Sequence, residues 1–240
     1  MTISHPATLV LLPGMMCDAR LFEFQIRRLK QDRGDALSII VPPLDTAESL
    51  PELARHVLNV TPPSFALCGL SMGGIVAMEM LAKAPDRIER LALMDTNPLA
   101  ETEQGVARRN RQIQDVRAGR LVQVIADEMK PLYLTDGSNK QAHLDLCMDM
   151  ALSLGDEAFI AQSLVLRDRR DQTETLKSVR CPTLILHGAE DKLCPAERHQ
   201  LMKDLIPHAE LVVVNGAGHL PPIEMPEEVT AHLYKWLVLC

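Results

Sequence analysis

The 240-residue chain is 47% apolar, carries a formal charge of −7 and contains 6 cysteines. That length fits one good-sized domain with room for an insertion. The acidic balance leaves no electrostatic footprint for nucleic acid, and no apolar run approaches the roughly 20 residues that a membrane helix needs. The start, Met1-Thr2-Ile3-Ser4-His5-Pro6, lacks the basic end and apolar core of a signal peptide. Cys17, Cys68, Cys147, Cys181, Cys194 and Cys240 are scattered, with no Cys-x-x-Cys pair, which fits reduced thiols in the cytoplasm. Aromatic residues make up only 3%, so an aliphatic, methionine-rich core is expected.

In chain order, the run Ala7–Leu12 reads as a buried strand, followed by a helical stretch over Arg20–Gln31. Leu37–Val41 reads as a second strand, with a helix over Ser49–Asn59 behind it. Phe65–Cys68, then a helix over Met72–Ala84, then Leu91–Met94 continue the alternation. From Asn97 to about Arg170 the rhythm breaks, and four helices are expected instead: Glu101–Arg117, Leu121–Met129, Gln141–Leu154 and Glu157–Arg167. Thr183–Leu186 with a helix over Ala196–Ile206, and Leu211–Val214 with a helix over Pro226–Leu239, restore it. Near-continuous apolar strands alternating with helices predict an α/β fold with an open, mostly parallel, doubly wound sheet of about six strands. The expected division is a core over residues 1–97 and 170–240 and a helical cap over 98–169. Ligands in such folds bind at the carboxyl ends of the strands, so the cap would roof the site.

The sharpest motif is Gly69-Leu70-Ser71-Met72-Gly73, a serine between glycines at a strand-to-helix corner. Such a corner is so tight that the nucleophile takes a strained backbone conformation and its neighbours must be small. A serine hydroxyl is a weak nucleophile and needs a base, which in turn needs an orienting acid. His219, in Asn215-Gly-Ala-Gly-His219, follows the last predicted strand, and Asp191, in His187-Gly-Ala-Glu-Asp191, follows the one before it. The order Ser71, Asp191, His219, with each residue just past a strand end, predicts a catalytic triad. Taken singly, the histidine reads as a surface-loop residue and the aspartate as a helix cap. Glu190 and Asp95 compete for the acid position, though Asp95 also suits turn chemistry ahead of Pro98. An oxyanion needs two backbone donors. The amide of Met72 is one; the loop Leu12-Pro13-Gly14-Met15-Met16 offers Met15, with Met16 second, on a sharp turn expected at Gly14.

With these residues in view, the chain resembles the α/β-hydrolase family over essentially its full length, and within it the small, capped bacterial esterases, carrier-protein methyl esterases and enol-lactonases. Gly69–Gly73 matches the nucleophile elbow, Gly188-Ala189-Glu190-Asp191 the acid loop, and Gly218-His219 with Glu224-x-Pro226 the histidine loop and final helix. Leu12-Pro13-Gly14 departs from the usual His-Gly of the oxyanion loop, and the leading hairpin is expected to be short or absent. The resemblance implies a serine hydrolase that cleaves a carboxylic ester, thioester or lactone through an acyl-enzyme, with no metal or organic cofactor. Two alternatives stay open: a lyase or carbon–carbon bond hydrolase on the same triad, and a small-ligand receptor without catalysis. The expected partner is a small-molecule acyl substrate. In the cap, Met129, Met148 and Met150 are candidate substrate contacts, together with Leu132, Leu134, Leu144, Leu152, Phe159 and Leu164, although helical spacing suits ordinary packing equally well. Arg108 and Arg109, with Arg111, Arg117 and Arg120, either hold an anionic tail or an acyl carrier protein, or form a solvated face. Cys17 and Cys68 lie near the site in sequence, and His187 is expected to pack beside the acid loop. His5, His56, His143, His199, His208 and His232 show no metal-ligand spacing.

Overall fold

The apolar runs all become strands of one parallel sheet. The computed structural model describes residues 7–45, 47–137 and 139–238; His5, Cys240 and any leading hairpin lie outside these. The strands are β1 (Ala7–Leu12), β2 (Leu37–Ile40), β3 (Phe65–Leu70), β4 (Ile88–Met94), β5 (Thr183–Gly188) and β6 (Glu210–Val214). Their order across the sheet is β2-β1-β3-β4-β5-β6, and every pairing is parallel. The inner strands β3 and β5 are buried at every residue, whereas the edges are only partly covered, exposing Ser38 in β2 and Glu210 and Val213 in β6.

Burial on both faces explains the unbroken apolar runs. Along β1, Val10 and Leu12 enter one core cluster while Leu9 and Leu11 enter the other. The first cluster packs the sheet against α2 (Leu50–Asn59), α3 (Met72–Lys83) and α8 (Ala196–Leu205). The second packs it against α1 (Glu23–Arg33) and α10 (Pro226–Val238), whose Leu29, Leu233 and Trp236 are buried. This is the doubly wound α/β sheet that the alternation predicts.

Between β4 and β5 the chain forms α4 (Glu103–Arg117), a short α5 (Leu121–Gln123), α6 (Lys140–Arg167) and α7 (Thr173–Lys177). The stretch predicted as one helix over Leu121–Met129 instead widens into a π-helical turn at Val124–Met129 and tightens into a 3-10 turn at Lys130–Leu132. The two helices predicted over 141–154 and 157–167 meet at Gly155, whose φ of 81° breaks the helical geometry between them. Helix α4 starts two residues later than predicted, because the Thr102 hydroxyl caps it by accepting from the Gly105 amide at 3.0 Å.

The register brings four strand ends level: Leu12 lies opposite Gly69, Leu70 opposite Met94, and Met94 opposite Leu186. Loops leaving β1, β3, β4, β5 and β6 therefore emerge along one edge.

Candidate active site

Ser71 follows β3 and begins α3 with φ 52° and ψ −114°. For a non-glycine residue this conformation costs on the order of 1–3 kcal/mol. It persists because the corner is fixed on both sides. The Ser71 amide donates to the Met94 carbonyl (2.9 Å), and the Ser71 carbonyl accepts from the Thr96 hydroxyl (2.7 Å). The flanking glycines are required by close approach: a Cβ on Gly69 would strike the Gly73 carbonyl, and one on Gly73 would strike the Leu12 carbonyl. A serine at a helix start ordinarily turns its hydroxyl onto its own helix, worth about 1 kcal/mol. Ser71 makes no such cap. Its Oγ lies 2.9 Å from Nε2 of His219.

His219 stands on the loop between β6 and the short helix α9 (Pro221–Glu224). Its Nδ1 lies 2.9 Å from Asp191 Oδ2. Its amide donates to the Tyr133 carbonyl (2.8 Å), so the segment between α5 and α6 helps to hold the loop. Glu224 holds it from the other side: its Oε2 accepts from the amides of Gly218 (2.9 Å) and Leu220 (3.2 Å), and its Oε1 from the Thr135 amide (2.8 Å).

Asp191 is buried, and its Oδ1 accepts from the amides of Leu193 (2.8 Å) and Cys194 (3.0 Å). Burial alone would raise its pKa. The charge and hydrogen bond of His219, with those two amides, outweigh burial and keep the carboxyl below its ordinary value. Asp95 meets a different environment. It is fully buried, with φ 42°; its Oδ1 accepts from the Gly188 amide (2.8 Å), and its Oδ2 has no partner among the described residues. Burial, reinforced by the nearby negative charge of Asp191, pushes Asp95 well above the usual carboxylate range. The carboxylate that pairs with His219 is that of Asp191, while Glu190 is exposed.

The loop after β1 differs from expectation in one respect. The left-handed turn falls at Met16 (φ 57°), not at Gly14. At Gly14 a Cβ would come within 3.2 Å of Leu70 Cδ2, a tight approach, and within 3.6 Å of Ser71 Cβ, an ordinary contact. The Met16 amide is engaged, donating to buried Gln162 Oε1 at 2.8 Å. Among the described residues, the Met15 and Met72 amides have no acceptor. Two unengaged donors thus flank Ser71 in chain and in space, as oxyanion stabilisation requires.

A cavity of about 140 Å³ opens onto Ser71 and His219. Met129, Leu132, Arg108 and Arg109 line it, joined by Leu70, Tyr133, Leu166, Leu193 and Leu220. Met148 and Met150 do not line it: Met150 is fully buried in the second core cluster, and Met148 packs on the first. Helical spacing cannot distinguish a pocket face from a packing face. Cys17 borders the cavity and Cys68 lies in β3. Burial raises the Cys17 thiol well above its ordinary pKa and Cys68 to about 12, so neither supplies a thiolate. His187 packs beside the acid loop, its ring 4.3 Å from that of His199. His199 is fully buried and accepts from the Thr96 amide (3.3 Å); burial first, and His187 second, push it down to about 3, so it stays neutral.

Among the described residues one group of possible metal donors lies together: Asp191, Cys194 and His219, within 4.8 Å of one another. The donor set suits a metal poorly. Nδ1 of His219 is engaged with Asp191, and burial, then the charge of Asp191, push the Cys194 thiol well above its ordinary pKa. A cysteine binds a metal as the thiolate.

Glu224, Gln162 and His199 carry no sequence signal of their own, since each acts through a contact made only in the fold. Glu224 was visible only as part of the Glu-x-Pro pattern.

The model of the alpha/beta hydrolase family matches residues 9–232. Among curated proteins, the chain is 23% identical to the biotin biosynthesis bifunctional protein BioHC of Teredinibacter turnerae, covering 96% of this chain but only 44% of that protein. It is 25% identical to the pimeloyl-[acyl-carrier protein] methyl ester esterase of Nitrosomonas europaea, covering 75% of this chain and 74% of that one. Among solved structures, a thermophilic esterase from Thermogutta terrifontis superposes with a TM-score of 0.84 at 29% identity, covering 96% of this chain and 89% of that one. The enol-lactonase of Burkholderia xenovorans shares the fold, with a TM-score of 0.84 at 19% identity over 97% and 92% of the two chains. No described helix is long and apolar enough to cross a membrane.

Proposed function

Because the chain belongs to the α/β-hydrolase family and is a hydrolase of the esterase type, we propose that it cleaves carboxylic esters through a Ser71–His219–Asp191 triad and an acyl-enzyme. The observation that carries this reading is the continuous hydrogen-bonded line from Ser71 Oγ through His219 to Asp191, with both links at 2.9 Å. Nδ1 of His219, held by the Asp191 carboxylate, carries the proton, which leaves Nε2 as the base facing Ser71.

In the first half-reaction Nε2 takes the Ser71 proton and Oγ attacks the ester carbonyl. The resulting oxyanion is held by the amides of Met15 and Met72, close to the positive end of α3. The His219 imidazolium then protonates the leaving alcohol. Water repeats the sequence on the acyl-enzyme, releasing the acid and restoring Ser71. The neutral imidazole is the working form of the base. The residues over 98–169 act as the cap: they supply one wall of the cavity and, through the Tyr133 carbonyl, hold the base. A carrier-protein-linked ester is a second reading, favoured by the several relatives named as pimeloyl-[acyl-carrier protein] methyl ester esterases.

The test is turnover of short p-nitrophenyl esters by wild type and Ser71→Ala. The expected loss is on the order of 10⁶-fold in kcat with unchanged folding. Near-full activity in Ser71→Ala would overturn the reading.

A further inference from the structure

We propose that the cavity over Ser71 contains a carboxylate-binding subsite formed by Arg108 and Arg109, and that the preferred substrates are short esters carrying a free carboxylate. This rests on the esterase reading above and specifies its substrate class.

Two cations enter a cavity that is otherwise largely apolar. Arg108 is exposed at its rim and makes no ion pair or hydrogen bond among the described residues. Arg109 is mostly withdrawn from solvent, its side chain 14% exposed. Its Nε donates to Glu101 (2.9 Å) and its Nη1 reaches Met15 Sδ (3.8 Å), while Nη2 has no partner among the described residues. A guanidinium presents five donors, so Arg109 is left with unused ones.

The charge does not cancel locally. Glu101 is shared: Arg169 also binds it, through Nη1 at 2.8 Å and Nη2 at 3.2 Å. Glu128, the carboxylate that does line the cavity, is committed through Oε2 to Arg111 (2.6 Å) and Gln112 (3.0 Å). Of the four guanidiniums set around Glu101 and Glu128, only Arg108 and Arg109 line the cavity, and Arg108 pairs with neither carboxylate. An anionic ligand supplies the missing partner, and a planar carboxylate matches the arginine fork.

Position and size narrow the class. Arg109 touches Met15, whose amide is a candidate oxyanion donor, so the subsite adjoins the reacting carbonyl. A cavity of about 140 Å³ resembles one that holds a single benzene, which leaves room for only a short spacer.

The experiment compares matched esters that differ only at the far end. Monomethyl glutarate against methyl glutaramate places the charge on the acyl side; O-acetyl-3-hydroxypropanoate against its amide places it on the alcohol side. Wild type is expected to favour the carboxylate by at least about tenfold in kcat/KM in one of the two arms. In Arg108→Gln that ratio should fall to near one, and Arg108→Glu should prefer the ammonium-terminated analogue. Equal turnover of carboxylate and amide by wild type overturns the subsite and leaves the esterase reading standing. Calorimetry with glutarate against glutaramide decides the subsite even if no ester is hydrolysed. Binding of glutarate at least about tenfold tighter, lost in Arg108→Gln, supports it; equal or absent binding of the two contradicts it.

Discussion

At the scale of single residues, the site is built from side chains that give up their ordinary local roles. Ser71 forgoes its helix cap and accepts a left-handed backbone to face His219. Asp95 and Asp191 show how environment separates two neighbouring carboxyls. Amides and an imidazole hold one low, while burial beside the other's charge holds the second high. Glu224 touches none of the reacting atoms, yet it fixes the amides on both sides of His219. Replacing it with alanine strips the amides of Gly218, Leu220 and Thr135 of their acceptor, at about 1–3 kcal/mol for each that stays buried. A base displaced by even 1 Å loses on the order of 100-fold in rate. Glu224→Ala should therefore lower kcat by about 10- to 100-fold with KM little changed, as steady-state kinetics on a short ester would show. Glu224→Gln, which keeps one acceptor, should fall between it and wild type. Equal effects on kcat and KM would point to a general structural role instead.

At the scale of elements, polar ties join the helical segment to the sheet edge. Gln162 of α6 holds the loop after β1 through the Met16 amide. The Tyr133 carbonyl and the Thr135 amide bind the histidine loop and Glu224. Glu101, just before α4, pairs with Arg109 within α4 and with Arg169 just after α6, clasping the two ends of the segment. Burial would raise Glu101, but Arg169 first and Arg109 second overcome it and lower the carboxyl from its ordinary 4.5 to about 2. The sign follows from the lowered value: this stabilisation is complete above pH 4.5 and is lost as pH falls toward about 2. Glu101→Gln leaves two poorly solvated guanidiniums without their anion. Its Tm should drop by at least about 5 °C at pH 7. Scanning calorimetry across pH should find the gap to wild type narrowing below pH 4.5. A gap that stays constant down to the acid limit would show that the ionised Glu101 adds nothing.

At the scale of the whole molecule, the sheet was legible because it is covered on both faces, so its strands appear as uninterrupted apolar runs. The misreadings lie where that rule weakens. Strand β4 begins at Ile88, three residues before its predicted start at Leu91, because Glu89 is exposed at the sheet's end and Arg90 reaches the Trp236 carbonyl (2.9 Å). The widened turn at Val124–Met129 and the short helices α7 and α9 leave no periodic trace, being too brief or too irregular for a 3.6-residue pattern. Of the candidate site, Ser71, Asp191 and His219 could be named because glycine-bounded strand ends mark them. The supporting contacts of Gln162, Glu224 and Glu101 span 68 to 146 residues of sequence or depend on loop shape, and no local pattern encodes them.

The proposed triad makes Ser71 the activated nucleophile among the described residues. The direct measurement is exposure of the intact protein to a fluorophosphonate, followed by mass spectrometry of the modified peptide. One phosphonyl group is expected per chain, on Ser71, absent in Ser71→Ala and formed far more slowly in His219→Ala. A protein that hydrolyses esters while remaining unlabelled, or that is labelled at another residue with Ser71 intact, would contradict the account.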